Sequence, residues 1–267
     1  MSPVVGPRRV WVEHLMGTAV SIHVIGERCG EEPVAAAAEG CFAELRDVER
    51  VFSTYRDDSD ISRVRRGELA LPDADPRVSV VAARCRVARI ATGGRFSAWW
   101  RGWFDPTGFV KGWSVEEAAR RHLEPLLAAP GVVAAGINAG GDLRVFTAGD
   151  ADWTWRIGIA DPRTPGGVIA TLELRDGAVA TSGTAERGEH IVDPRTGRRG
   201  SGVRSATVVA DDLATADVWA TTAVVAGGED LGWISRAPVT TGMIVDDDGR
   251  VRRWIAGVEV EVVPATS

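Results

Sequence analysis

Residues 142–183 read DLRVFTAGDADWTWRIGIADPRTPGGVIATLELRDGAVATSG, and this stretch decides the fold. Four segments in it, DLRVFTAG, WTWRIGIAD, VIATLELRD and AVATSG, are rich in Val, Ile, Leu, Thr and aromatic residues. Gly, Pro and Asp separate them, which is the pattern of short strands joined by tight turns. A fifth such segment, VRSATVVA, follows at 203–210, and TGMIVDDDGRVRRWI closes the chain as a hairpin around Asp248-Gly249. Upstream the periodicity changes. Residues 8–25 read as two alternating runs broken at Met16-Gly17, a hairpin, but Glu31 to Phe52 places Ala35, Ala38, Phe42, Leu45, Val48 and Phe52 at helical spacing. Ser59 is a cap for a short helical turn through Arg65, and further helices are expected at about 76–92, 114–127 and 213–226. Helices crowd the first half and strands the second, so the chain reads as α+β with an antiparallel sheet packed against helices. The glycines near positions 94 and 149 mark loops rather than linkers, so residues 1–267 are expected to form one domain.

Composition excludes several functions. A formal charge of −6 with no Lys/Arg stripe argues against nucleic-acid binding. Cys29, Cys41 and Cys85 form no CxxC pair, so neither a disulfide framework nor a zinc site is signalled. No run of about 18 apolar residues occurs and the N-terminus lacks a signal-peptide core, so a cytoplasmic protein without a membrane partner is expected.

Of the 31 basic residues only Lys111 is lysine. It stands in FDPTGFVKGW between a glycine turn and the expected helix start, where a compact ammonium suits a phosphate or carboxylate better than a guanidinium fork. In AVATSGTAERGEHIVDPRTG, over 178–197, a hydroxyl cluster at Thr181 and Ser182 precedes His190. A partly exposed surface role suits His14, His23 and His122, whereas His190 alone stands among groups that could orient an imidazole, so it is either a base or a structural histidine at a strand start. GINAGGDL has the wrong spacing for a dinucleotide fingerprint but offers a tight glycine turn between Asn138 and Asp142. Asp217 and Thr221 lie one turn apart on an otherwise apolar helix, presenting two hard oxygen donors suited to Mg²⁺; a carboxylate hydrogen-bonded to its own helix is the structural alternative. Asp211 and Asp212 read as caps of that helix.

The order Met16-Gly17-Thr18, FSTY, DPTGFVKGW, NAGGD, WRIGIADP, TSG, HIVDPRTG and ADVWAT resembles the ApbE family of FAD:protein FMN transferases over nearly the whole chain. The resemblance implies an α+β fold and Mg²⁺-dependent transfer of the FMN half of FAD to a Thr or Ser hydroxyl of an acceptor protein, with release of AMP. It implies metal ligation by Asp217, Thr221 and the backbone of Gly108. Flavin contacts are implied for Met16, Tyr55, Arg95, Phe96, Ser97, Asp105, Lys111 and Ile191, and His190 is implied as the base.

Two departures from the family pattern concern the donor site: Ser97 stands where an aspartate is usual, and Arg65 where an asparagine is frequent. The loops between TSG and HIVDP and between the two aspartate motifs are short. Water could then replace the acceptor, so FAD hydrolysis to FMN and AMP is one competing reading. A flavin carrier without catalysis is the other.

Overall fold

The computed structural model describes residues 6–183 and 191–261. The chain opens with a hairpin, β1 (Arg8–Leu15) and β2 (Thr18–Ile25), and then runs through four helices: α1 (Glu32–Phe52), α2 (Asp60–Arg65), α3 (Pro76–Ala91) and α4 (Thr107–Ala118). It returns as β3 (Ala134–Ala139) and β4 (Asp142–Thr147), followed by β5 (Trp155–Ala160), β6 (Val168–Leu174), β7 (Gly177–Gly183) and β8 (Val203–Ala210). A last helix, α5 (Leu213–Ala226), precedes β9 (Thr241–Asp246), β10 (Val251–Ile255) and β11 (Val258–Val260). Among the described residues the main sheet has nine strands in the order β1-β2-β3-β4-β7-β8-β9-β10-β11, and β5-β6 form a separate two-stranded sheet. Neighbours pair antiparallel throughout. The expected α+β architecture with an antiparallel sheet is the one observed.

Local sequence explains the elements. Helix α1 buries Val34, Ala38, Cys41, Phe42, Leu45, Val48 and Phe52, one apolar face at three- and four-residue spacing. The Ser59 hydroxyl caps α2 by accepting from Ser62 N at 3.1 Å. Helix α5 is apolar on all sides because it lies between the sheet and α4, and Asp212 caps it by accepting from Thr215 N at 2.8 Å. Val20, Ile22 and Val24 of β2 are fully buried against the helices. The opposite face of the sheet presents Val179, Val209, Met243 and Val245 to Ile157 and Ile159 of β5.

One boundary differs from expectation. The third long helix begins at Thr107 rather than at Ser114, and after Ala118 it continues through a wide π turn and a 3₁₀ segment to Ala128. The DPTG sequence reads as a turn, but Asp105 Oδ1 accepts from Thr107 N at 3.2 Å and from Thr107 Oγ1 at 2.6 Å, which starts the helix there. The glycines inside it sit where neighbours come close: a Cβ on Gly112 would stand 3.0 Å from the Asp217 side chain and from Leu213 O. Lys111 therefore lies within the helix and not ahead of it.

Strand pairing gathers the glycine turns at one end of the sheet. Met16 and Gly17 have φ of 54° and 75°, and Gly140 and Gly141 have 61° and 92°, which makes both two-residue loops I′-like hairpin turns. Pairing of Val20 with Ala139 sets the two tips side by side. A Cβ on Gly140 would reach within 2.4 Å of Thr18 Oγ1, so contact and backbone conformation both require glycine there. Strand β7 ends at this rim, since Leu143 pairs with Val179, and β8 starts there, since Gly183 pairs with Ser205.

Candidate functional site

At this rim α4 is wedged between β4 and α5. Alternation along β4 turns Asp142 and Arg144 toward the helices and Leu143 away from them. Asp142 is fully buried, ion-paired with Lys111 Nζ, and accepts from Thr181 N at 3.3 Å. One turn further along α4, Glu116 receives Arg144 Nε at 3.1 Å and also accepts from Leu213 N at 2.8 Å, which ties α4 to the first turn of α5. Arg144 is 2 % exposed, lies over the Phe146 ring, and reaches Asp176 at 2.8 Å. Two charge pairs thus fix α4 against the sheet, and Glu116 fixes the start of α5.

This fixation presents Asp217 and Thr221 at the rim. Asp217 is 6 % exposed, so it is not a solvated surface charge. Thr221 Oγ1 lies 3.3 Å from Ser182 Oγ on β7, whereas Thr222 is occupied by its own helix, donating to Val218 O at 2.8 Å. Among the described residues no three His, Cys, Asp or Glu side chains come together as a metal cluster. The donors present, one carboxylate with neighbouring hydroxyls beside the glycines of α4, match Mg²⁺, which takes few protein ligands and keeps water or phosphate oxygens. Gly108 stands one turn before Gly112 on α4, and Gly112 packs against the Asp217 side chain.

The residues expected to touch flavin fall into two groups. Met16, in its left-handed turn, donates N–H to Glu49 Oε1 at 3.2 Å, and its sulfur accepts from Ser114 Oγ at 3.7 Å, so it bridges the sheet core and the helical core. Phe96 is buried against Phe109, with centroids 6.4 Å apart, and faces Gly108; Ser97 accepts from Trp99 N at 3.2 Å. Asp105 is buried, caps α4 and lies 3.6 Å from Arg101. Arg95 is ion-paired with Asp230. Ile191 starts a small hairpin in which Gly200 N donates to Ile191 O at 3.1 Å. The hairpin is pinned by Asp193, whose carboxyl is held below the usual range by its hydrogen-bonded Arg195, and Arg195 lies over Gly94. Tyr55 stands apart, 97 % exposed beyond the end of α1. His190 lies outside the described residues.

His23 and His122 are partly exposed as expected, but the expectation that His190 alone has groups to orient its ring needs correction. His23 is half-buried, held by Arg8 at Nδ1 and by Ser21 Oγ at 2.9 Å from Nε2, and burial with Arg8 lowers its pKa to about 4. His122 Nε2 lies 3.0 Å from Glu44. Both have orienting partners, so His190 is not distinguished by that property. Sequence reasoning also missed Glu116, Arg144 and the inward direction of Ser182. The alternation of β4 and β7 carried that signal, but only the position of the inserted α4 shows which face is covered.

The sequence model of the ApbE family matches residues 16–101 and 100–244. An FAD:protein FMN transferase of Rhodobacter capsulatus is 39 % identical over 136 residues, which is 47 % of this chain and 25 % of that protein; the match spans about a quarter of the relative's length. Among solved structures, the ApbE protein of Thermotoga maritima superposes with a TM-score of 0.79 at 22 % identity, covering 92 % of this chain and 97 % of that one. The flavin transferase ApbE of Vibrio cholerae gives 0.71 at 20 % identity, covering 94 % and 97 %, and the flavinyl transferase ApbE of Pseudomonas stutzeri 0.72 at 19 %, covering 97 % and 96 %. At these identities the structures attest the shared fold alone. The match of the family model over most of the length, on the fold and motif order described, establishes that the chain belongs to the ApbE family.

Proposed function

We propose that this protein is an enzyme that transfers the FMN half of FAD to a Thr or Ser hydroxyl of an acceptor protein and releases AMP. The observation that supports this reading best is the convergence of Lys111, Ser182, Asp217 and Thr221 at one glycine-lined rim, where the main chain of Gly140-Gly141 lets a ligand approach closely. Asp217, Thr221 and the Gly108 carbonyl would hold Mg²⁺. The ion's chemistry is to neutralise diphosphate oxygens and stabilise the charge that builds at phosphorus.

The remaining work falls to this chain's own groups. Lys111 holds the diphosphate as a point charge while Asp142 fixes the ammonium. Phe96, Met16 and Ile191 supply an apolar wall for the flavin, and Arg95, Ser97 and Asp105 set the turn that carries Phe96. Tyr55, on the surface, is a stacking residue for a ring or an acceptor side chain. The acceptor oxygen bonds to the FMN-side phosphorus, the bond from that phosphorus to the bridging oxygen breaks, and that oxygen leaves with AMP. His190 takes the proton of the attacking hydroxyl.

Three free, buried cysteines suit a reducing, cytoplasmic setting. No helix of the described residues is long and apolar enough to cross a membrane. The test is to incubate the protein with FAD, Mg²⁺ and a protein domain carrying an Asp-Gly-x-Thr-x-Ala-Thr segment. AMP release that requires the acceptor, with FMN appearing on the acceptor, supports transfer. Acceptor-independent AMP release means hydrolysis, and no turnover under any condition means a carrier.

A further inference from the structure

On the face of the main sheet away from the helices, the β5-β6 hairpin lies across β7 and β8 through Ile157 and Ile159. Strand β5 pairs with β6 along one edge, and among the described residues no strand pairs with its other edge. That free edge borders a groove of about 740 Å³ between β5 and strands β2, β3 and β4. Every residue from Asp152 to Ala160 lines it, which a strand achieves only when its edge, rather than one face, fronts the space. Half of the peptide groups of β5 point away from β6, so they present donors and acceptors to this groove.

The groove has direction. One end lies by Arg8 and His23, and the other by Asn138, Gly141 and Thr181, at the rim that carries the candidate site. Its floor is apolar at Leu143, and at the Gly136 end the Trp155 ring packs down onto the sheet, its Nε1 donating to Phe146 O at 3.1 Å. A six-residue strand gives an edge about 20 Å long, the reach of an extended segment of similar length.

From this placement we infer that the groove takes an extended segment of the acceptor protein as an added strand on β5, delivering its hydroxyl to the rim; the inference rests on the transfer reading above. Main-chain hydrogen bonds would supply affinity, and side chains at alternate positions would meet the floor at Leu143. Continuity with the rim favours an acceptor segment over a second copy of this chain, and its free edge calls for an extended polypeptide.

The test uses the full-length enzyme with FAD, Mg²⁺ and the acceptor domain defined above. Amide exchange at residues 155–160 is expected to slow when the acceptor is added. The L143A and W153A variants are expected to raise KM for the acceptor about tenfold while leaving FAD affinity near wild type, with some loss of thermal midpoint because both side chains also pack against neighbours. Flavinylation at wild-type KM by both folded variants, with exchange in β5 unchanged, would overturn the docking site while leaving the transfer reading intact. Protection of the outer edge of β1 or β11 instead would place the segment elsewhere. Failure of the wild-type protein to modify the acceptor would count against the transfer reading itself, and light scattering showing a dimer through β5 would assign the groove to a second copy.

Discussion

Lys111 on α4 and Asp142 on β4 form an ion pair directly behind the Gly140-Gly141 turn, with Asp142 fully buried and Lys111 reaching partly to solvent. The only lysine of a chain that otherwise uses arginine thus meets the carboxylate that Thr181 N also approaches. The ammonium is aimed by a group with no access to water, and its remaining side reaches solvent.

Replacing Lys111 with Met should therefore act twice. Stability should fall by about 2–4 kcal/mol, below the range for a wholly buried pair because Lys111 touches solvent. The K111M/D142N double variant should recover much of that stability without regaining FAD affinity. Urea titration and FAD binding measured on the same preparations separate the two effects. Restored FAD affinity in the double variant would contradict the phosphate role of Lys111.

Asp217→Ala should lower turnover at least about 10²-fold and abolish its response to Mg²⁺, because the diphosphate charge is left uncompensated. Thr221→Ala should weaken Mg²⁺ dependence less, and Thr221→Ser should restore it, since in the proposed site the hydroxyl is the ligand. Metal titration of activity together with calorimetric Mg²⁺ binding checks this. Unchanged Mg²⁺ binding in D217A would remove the assignment.

Gly112 offers a packing test of the same site. A Val there would drive its Cβ into Asp217 and the Leu213 carbonyl, both at 3.0 Å, so α4 and α5 must separate. A loss of about 1–3 kcal/mol is expected from overpacking, with Mg²⁺ affinity falling more than in a G149V variant, whose position has open space and, like Gly112, no left-handed backbone. Thermal denaturation and metal titration of the two variants give the comparison.

His23 gives the fold an acid sensitivity. Only donation by Arg8 is chemically available, so Nδ1 accepts and Nε2–H donates to Ser21. The folded state keeps this imidazole neutral down to about pH 4, whereas the unfolded chain protonates near its usual value of 6.5. The unfolded state then binds the extra proton, so stability is fully present above about pH 6.5 and is lost as pH falls toward 4. With partial exposure discounted, about 1–2 kcal/mol is expected to depend on this group. Denaturant midpoints of wild type and H23Q at pH 7.5 and 4.5 should converge on acidification, and a constant gap would contradict the assignment.

Much of the architecture was legible because its signals are local. The Met16-Gly17 and Asp248-Gly249 turns, the apolar face of α1, the Ser59 cap and the buried helix α5 each follow from spacing within a few residues. The start of α4 was not, because Pro106 and two glycines read as a turn until Asp105 is seen to cap Thr107 and Asp217 to fill the space at Gly112. Nor does alternation say which strand a strand pairs with, so the separation of β5-β6 from the main sheet, and the groove it leaves, appear only in three dimensions. Within the candidate site, the one-turn spacing of Asp217 and Thr221 on a single helix face is a local signal. Glu116 and Arg144 carry none, since charged residues at their positions look like solvated surface until α4 is placed over β4.

The most direct test of the central claim is intact-mass analysis of the acceptor domain after incubation with FAD, Mg²⁺ and either wild-type protein, D217A or H190N. The account expects one covalently added FMN per acceptor with wild type, none with D217A, and transfer slowed about 10²–10⁴-fold with H190N at unchanged FAD affinity. Flavinylation by D217A at the wild-type rate and without magnesium would contradict it.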